Sequence, residues 1–302
     1  MPVHSGTDDF CPGRGFYLHL TEKPSRPLIS RSKTLIQRFF DHNPEPRTIG
    51  IVGGLGPYAG YDLMRKIFRW TKASVDQDHL PVMLHSFPGW IPVRPEFLLG
   101  KTKENPGEDI GGIMEQLARS GASVIGMPCN TAHSPRILDV ALERLHATGL
   151  DVQFVSIIES AVKHVSRLCP NGGRIGLMGT VATLQTRLYQ DALEKAGLEP
   201  VILGEEDCAL VQQAISDPGF GVMAFSDPVS PKARQILLDA ARRLVEEKRV
   251  STILLGCTEI PVAVTEDRLW DTPVVDATSV LAQELIRASC PERLKTPSDF
   301  QG

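Results

Sequence analysis

The sequence has few of the features that mark a membrane protein, a secreted scaffold or a nucleic-acid-binding protein. None of its apolar runs approaches the ~20 residues that a membrane-spanning helix needs. The net charge is only −4 over 302 residues, so no strong attraction to nucleic acid or to an anionic membrane is expected. The first residues lack the charged-then-apolar order of a signal peptide. We therefore expect a cytoplasmic protein with neither a nucleic-acid nor a membrane partner.

Cysteine is also sparse. The chain has six cysteines and no CxxC pair, which is too few and too scattered for a disulfide framework or a zinc set. Free thiols are expected, and a free cysteine is usually a small buried hydrophobe. The cysteines are Cys11, Cys129, Cys169, Cys208, Cys257 and Cys290.

The chain changes character near Thr48. Residues 1–47 are rich in proline and contain no strand-like run, so we expect a loosely ordered extension in which residues 34–40 could form a short amphipathic helix. From Thr48 onward, short apolar strands alternate with amphipathic helices. This alternation predicts an α/β fold with mostly parallel strands and helices on both faces of the sheet.

The pattern then repeats. Residues 174–193 resemble residues 48–67, and "TILLGCTEIP" resembles "SVIGMPCNTAH". The separation between Gly50 and Cys129 is 79 residues, and that between Gly176 and Cys257 is 81. Two motifs in the same order at nearly the same spacing predict a duplicated α/β unit.

Cys129 and Cys257 each follow a predicted strand at once, so each lies at the carboxyl end where ligands bind in parallel sheets. Two similar units that share a cleft would place these thiols on opposite sides of a ligand. Such a pair suits the removal of a proton from one face of a carbon and its return to the other face. A thiolate is a competent base, and the pKa of a thiol falls near a helix N-terminus.

Polar residues follow both cysteines. Asn130 and Thr131 begin a stretch that we predict to be helical, and with its first N–H groups they would bind a carboxylate. Thr258 and Glu259 could do the same, and Glu259 could also transfer protons.

Two other interpretations compete with this one. The GxGxxxG stretch from Gly54 resembles a dinucleotide fingerprint, with Asp76 and Asp78 about 20 residues later. These acids precede the second predicted strand, whereas a ribose-binding acid should end it, and a close approach to a small substrate explains the glycines equally well. His133 could serve a metal or activate Cys129, but no Cys/His cluster completes a zinc set.

In this order, "IGIVGGLGP", "PCNTAH", "GT..T" and "LGCTEIP" resemble the aspartate/glutamate racemase family over residues 48 to about 290. The resemblance implies two pseudo-symmetric Rossmann-like domains with the active site in the cleft between them. It implies no cofactor and no metal, with Cys129 and Cys257 as the paired acid and base. The residues that it implies for substrate binding, together with those argued above, are Gly54, Arg94, Asn130, Thr131, Thr180, Thr183, Thr258 and Glu259.

The expected function is therefore racemisation of an amino acid, aspartate or glutamate. The first domain is expected at 48–150 plus about 271–295, and the second at 151–270; a homodimer is one assembly that we expect. Val93 and Pro95 flank Arg94 where the family usually has an acidic residue and a threonine. Met223 stands where the family often has lysine, and the loss of that lysine would weaken a second carboxylate site. The alternatives are a related enzyme that acts on another α-substituted acid, and a non-catalytic amino-acid-binding protein.

Overall fold

Two β-sheets organise residues 45–300, the part of the chain that the computed structural model describes. The strands of the first sheet are β1 (Ile49–Gly53), β2 (Val82–Ser86), β3 (Val124–Gly126) and β4 (Gln153–Val155). Those of the second are β5 (Arg174–Met178), β6 (Glu199–Val201), β7 (Thr252–Leu255), β8 (Arg268–Leu269) and β9 (Thr272–Asp276). We call residues 49–155 the first half and residues 174–276 the second half.

The two sheets share one topology. The first has the strand order β2-β1-β3-β4 and the second the order β6-β5-β7-β9-β8. All pairs are parallel except β8 with β9. Strands β5, β6, β7 and β9 thus occupy the places of β1, β2, β3 and β4, which confirms the predicted α/β fold with two mostly parallel sheets.

Eleven α-helices flank these sheets within the described residues. They are α1 (Pro57–Trp70), α2 (Arg94–Leu98), α3 (Pro106–Arg119), α4 (Pro135–His146), α5 (Ile157–Leu168), α6 (Val181–Gln185), α7 (Leu188–Lys195), α8 (Glu205–Ser216), α9 (Pro231–Glu246), α10 (Ile260–Ala263) and α11 (Ala277–Ser289). No helix between residues 45 and 300 is long and apolar enough to cross a membrane.

Local sequence explains where many of these helices begin. Pro57 starts α1, a position where the missing N–H of proline is not needed. Ser156 caps α5 by accepting a hydrogen bond from the Glu159 amide. Helix α1 then buries Leu63 and Ile67, one helical turn apart, against the sheet.

The central strands β1, β3 and β7 bury every residue on both faces, as the apolar runs predict for parallel sheets. In β1, Ile49 and Ile51 point into a central cluster, while Val52 points into a separate cluster on the outer face of the first sheet. The second sheet does the same, with Ile175 in the central cluster and Met178 in an outer one. The central cluster also contains residues of α1, α5, α7 and α11, so these helices form a layer that both sheets share.

Most of the predicted extension, including the predicted helix at 34–40, lies outside the described residues. Arg47 is anchored, since its guanidinium donates to the carbonyl of Ser123 at 2.5 Å and to Gln153 at 2.8 Å. The predicted domain boundaries stay a prediction. Strand β4 lies just after residue 150, where the second domain was predicted to begin, and it pairs with β3 of the first sheet. Strand β9 lies just after residue 271, where the first domain was predicted to resume, and it pairs with β7 of the second sheet.

Candidate active site

Two buried cysteines lie beyond the carboxyl ends of topologically equivalent strands. Cys129 follows β3 and Cys257 follows β7. Their exposed fractions are only 6% and 5%, and both are free thiols. The structure therefore places the two loops that the sequence singled out at corresponding points of the two sheets.

The helix after Cys129 begins later than the sequence suggested. Residues 131–133 form a 3-10 turn, and α4 starts only at Pro135. Ser134 is extended because proline disfavours the helical conformation in the residue before it. Burial raises the pKa of Cys129, and the Ala132 amide of this turn only partly opposes the rise, because no α-helix N-terminus lies directly after the cysteine.

Arg94 is the positively charged residue next to Cys129. Burial raises the pKa of the Cys129 thiol, and the nearby Arg94 guanidinium opposes that shift. Arg94 starts α2 and donates through Nη2 to the carbonyl of Leu55 at 3.0 Å. Its Nε is buried without a hydrogen-bond partner in the described part of the chain. The thiolate form is therefore more accessible at Cys129 than burial alone would allow.

Glu259 is the negatively charged residue next to Cys257. The thiol of Cys257 donates to Glu259 Oε2 at 3.0 Å, and Thr258 donates to the same oxygen at 3.4 Å. Burial raises the pKa of Cys257 well above its ordinary value, and the Glu259 carboxylate adds to the shift. A charge on Cys129 raises the pKa of Cys257 further.

Three hydroxyl groups join the first cysteine loop to the second half. Thr131 lies 3.4 Å from Thr180 and 3.0 Å from Thr183, measured between Oγ1 atoms, and the latter two are 2.9 Å apart. Thr180 also caps α6 by accepting from the Thr183 amide. All three are buried, so predicted site residues from both halves meet at one point.

Tyr189 is a site residue that sequence reasoning missed. Its hydroxyl donates to Asn130 Oδ1 at 2.6 Å and thereby orients the amide. Burial raises the pKa of Tyr189, and the charges of Asp276 and Cys257 raise it further, so the phenol stays a neutral donor. Asn130 Nδ2 is buried and finds no partner in residues 45–300. The sequence could predict only that Tyr189 is buried on α7, because no local sequence pattern shows that its ring reaches the other half.

Two glycines of the turn after β1 serve different purposes. Gly54 has a φ of 84°, and a side chain there would collide with the backbone of Phe87. Packing against this backbone therefore explains Gly54, which was predicted to contact substrate. Gly56 has a φ of 118°, and a Cβ there would overlap Glu259 Oε1. Gly56 is thus the glycine that makes room for a polar group of the candidate site.

His133, considered as a metal ligand or an activator of Cys129, and Asp78, considered as a ribose-binding acid, form hydrogen bonds with the backbone. The Cys129 carbonyl lies 2.8 Å from His133 Nδ1, and the Ile157 amide donates to Nε2 at 3.3 Å. Asp78 accepts from the Ser74 and Val75 amides. Residues 45–300 contain no cluster of three or more His, Cys, Asp or Glu side chains suited to a metal ion.

Comparisons with known proteins agree with this architecture. The family model described as Asp/Glu/Hydantoin racemase matches residues 52–285. A broad-specificity amino-acid racemase of Bacillus subtilis is 24% identical over 242 residues, which cover 79% of this chain and 96% of that protein. A glutamate racemase of Beutenbergia cavernae is 31% identical over 150 residues, which cover 50% of this chain and 46%, about half, of that relative's length. The structure of Picrophilus torridus aspartate racemase superposes with a TM-score of 0.65 at 26% identity, covering 82% of this chain and 96% of that one.

Proposed function

Since the chain belongs to the Asp/Glu/Hydantoin racemase family, we propose that it is a cofactor-independent racemase of aspartate or glutamate. The observation that supports this most strongly is the pair of buried thiols at equivalent strand ends. One thiol lies beside a guanidinium, and the other donates to a carboxylate. These different neighbours favour the thiolate at one cysteine and the thiol at the other, as a base and an acid on opposite sides of a carbon require.

The reaction is a 1,1-proton transfer. The Cys129 thiolate removes the α-proton, and the electron pair of the broken C–H bond moves into the carboxylate of the substrate. Arg94 and Asn130 supply the donors that stabilise the developing enediolate. Cys257, as the thiol, then gives its proton to the opposite face of the carbon, and the reverse reaction exchanges the two roles.

A wider substrate range is the second candidate. It is favoured by Met223, an apolar and 48% exposed residue where the family often has lysine. The Bacillus subtilis relative, whose name describes broad specificity, matches this chain over most of both lengths. Neutral amino acids therefore belong in the substrate test beside aspartate and glutamate. The homodimer stays a prediction.

The test is incubation of the protein with each L-amino acid in D₂O. We expect α-deuterium incorporation and appearance of the D-enantiomer, measured by NMR and chiral chromatography. Cys129→Ser and Cys257→Ser should each lower the racemisation rate by about 10²- to 10⁴-fold, because each removes the acid–base group on one face. The half-buried Cys208 lies outside the site, and Cys208→Ser is the matched control.

Either serine variant with a near wild-type rate would remove that cysteine from the mechanism. A wild-type protein that binds an amino acid without exchange or racemisation would instead support the non-catalytic binding protein.

A further inference from the structure

Three buried polar atoms of the candidate active site have no hydrogen-bond partner within residues 45–300. They are Arg94 Nε, Asn130 Nδ2 and Glu259 Oε1. An unpartnered buried polar atom is destabilising, and most such atoms in folded proteins are satisfied. Two of these atoms are donors and the third is a carboxylate acceptor. This set is complementary to the two charged groups of an α-amino acid, a carboxylate and an ammonium.

We infer that Glu259 binds the α-ammonium group of the substrate through its free oxygen, Oε1. This inference rests on the proposed amino-acid function and adds the group that distinguishes an amino acid from other α-substituted acids. Arg94 and Asn130, as donors, would face the carboxylate instead. The contact makes Glu259 a determinant of substrate class.

The geometry leaves one oxygen of Glu259 for a ligand. Oε2 accepts from Cys257 and Thr258, whereas Oε1 lies against Gly56, where a side chain would overlap it. The residue is 7% exposed. A buried carboxylate is strongly disfavoured unless a cation or further donors satisfy it, and a substrate ammonium supplies both.

The same contact affects the neighbouring thiol. The negative charge of Glu259 opposes a thiolate at Cys257, to which it is hydrogen bonded. A bound ammonium offsets that charge and brings the two protonation states of the cysteine pair closer in free energy. A racemase needs both states, since its two directions begin from opposite thiolates.

Two pairs of probes test the inference: L-aspartate with L-malate, and L-glutamate with L-2-hydroxyglutarate. In each pair only the ammonium is replaced by hydroxyl. By titration calorimetry we expect the wild-type protein to bind at least one of the amino acids about 10- to 100-fold more tightly than its hydroxy acid, as for a hydrogen bond to a charged group. Glu259→Gln keeps an acceptor for Cys257 but removes the charge, and should abolish the preference. Glu259→Asp keeps the charge and should retain part of it.

Glu246→Gln, at the exposed C-terminal residue of α9, is the control and should keep the full preference. The inference is overturned if the wild-type protein binds both members of each pair equally, binds none of them, or keeps its preference in Glu259→Gln. Racemisation is measured on the same samples. A preference that depends on Glu259 without racemisation would retain the ammonium site and reject the proposed activity.

Discussion

At the scale of single residues, the two cysteines occupy equivalent positions but have different surroundings. Cys129 lies beside a cation, Arg94, and Cys257 donates to an anion, Glu259. Topology alone would make the thiols interchangeable, and the neighbouring charges make one the better base and the other the better acid. The asymmetry therefore comes from the loops, whereas the placement of the thiols comes from the duplicated sheets.

Tyr189 positions the Asn130 amide rather than touching the reacting atoms. In Tyr189→Phe the donor to Asn130 Oδ1 is lost, and the amide is free to rotate. We expect kcat/KM to fall roughly 5- to 10-fold, as for the loss of one buried hydrogen bond. The effect should fall mainly on kcat, because rotation of the amide removes more stabilisation from the enediolate-like transition state than from the bound substrate. Kinetic constants for the racemised amino acid measure this.

The control is Tyr61→Phe, since Tyr61 is 60% exposed. An equal effect of both variants, or an effect of Tyr189→Phe on melting temperature alone, would contradict a positioning role.

At the scale of elements, His133 ties the first cysteine loop to the start of α5. Burial lowers the pKa of His133 to about 4, although the hydrogen bond to the Cys129 carbonyl opposes that shift. The Ile157 amide donates to Nε2 of the neutral ring. The folded protein therefore prefers the neutral ring, and this contribution is complete above the unfolded pKa of about 6.5. It decreases as the pH falls from about 6.5 to 4, by about 3 kcal/mol in all.

Urea denaturation at pH values between 4 and 7 measures this loss. Carboxylates contribute to acid unfolding in every variant, so the difference from His133→Gln isolates the histidine. We expect His133→Gln to be less stable at pH 7 but to lose less stability on acidification. His146→Gln, at an exposed residue, should retain the wild-type pH dependence. Equal slopes for the wild type and His133→Gln would show that His133 does not titrate in this way.

The paired strands could be predicted because their signal is local. The apolar runs of β1 and β5 end in a glycine turn, and those of β3 and β7 end in a cysteine loop. The nearly equal spacing of the two copies predicted equivalent positions for β1 with β5 and for β3 with β7. The α/β fold follows from this alternation. The likeness of the two cysteine loops likewise indicated a shared chemical task before any geometry was known.

Contacts between the halves could not be predicted, because no local pattern encodes them. Lys66 and Asp62 have the spacing of solvent-exposed ion pairs on a helix, yet both are buried, and Lys66 also pairs with Asp276 of the second half. The periodicity of α7 predicts that Tyr189 is buried but not that it reaches Asn130. The two-residue strand β8 is too short to give any pattern.

At the scale of the whole molecule, the candidate site exists only where the two halves meet. Glu259 lies against Gly56, and Thr183 contacts Thr131, so each half contributes atoms that the other lacks. The central cluster holds both sheets against one layer of helices. Interactions that join the halves therefore contribute to the geometry of the site as well as to stability.

Lys66 forms such a connection, and its removal should destabilise the protein. From α1 in the first half, its ammonium pairs with Asp62 and with Asp276 at the end of β9, and the side chain is only 7% exposed. Lys66→Met leaves both carboxylates without this cation, although Arg65 still pairs with Asp62 at 2.7 Å. We expect the free energy of unfolding to fall by about 3 kcal/mol, the lower end of the range for breaking a buried pair. Urea denaturation measures it, with Arg119→Met as the control.

The control removes an ion pair of the usual kind. Arg119 pairs with Glu115 at 2.9 Å, but its side chain is 62% exposed. Exposed pairs contribute about 0–1 kcal/mol, because water and salt screen them. A loss in Lys66→Met no larger than that in Arg119→Met would mean that relaxation or hydration of the two carboxylates compensates for the missing ammonium. The loss of stability in Lys66→Met could also be larger than that in Arg119→Met and be accompanied by a fall in kcat/KM at temperatures where the variant is fully folded. That result would show that the same ion pairs also maintain the alignment of the two cysteine loops.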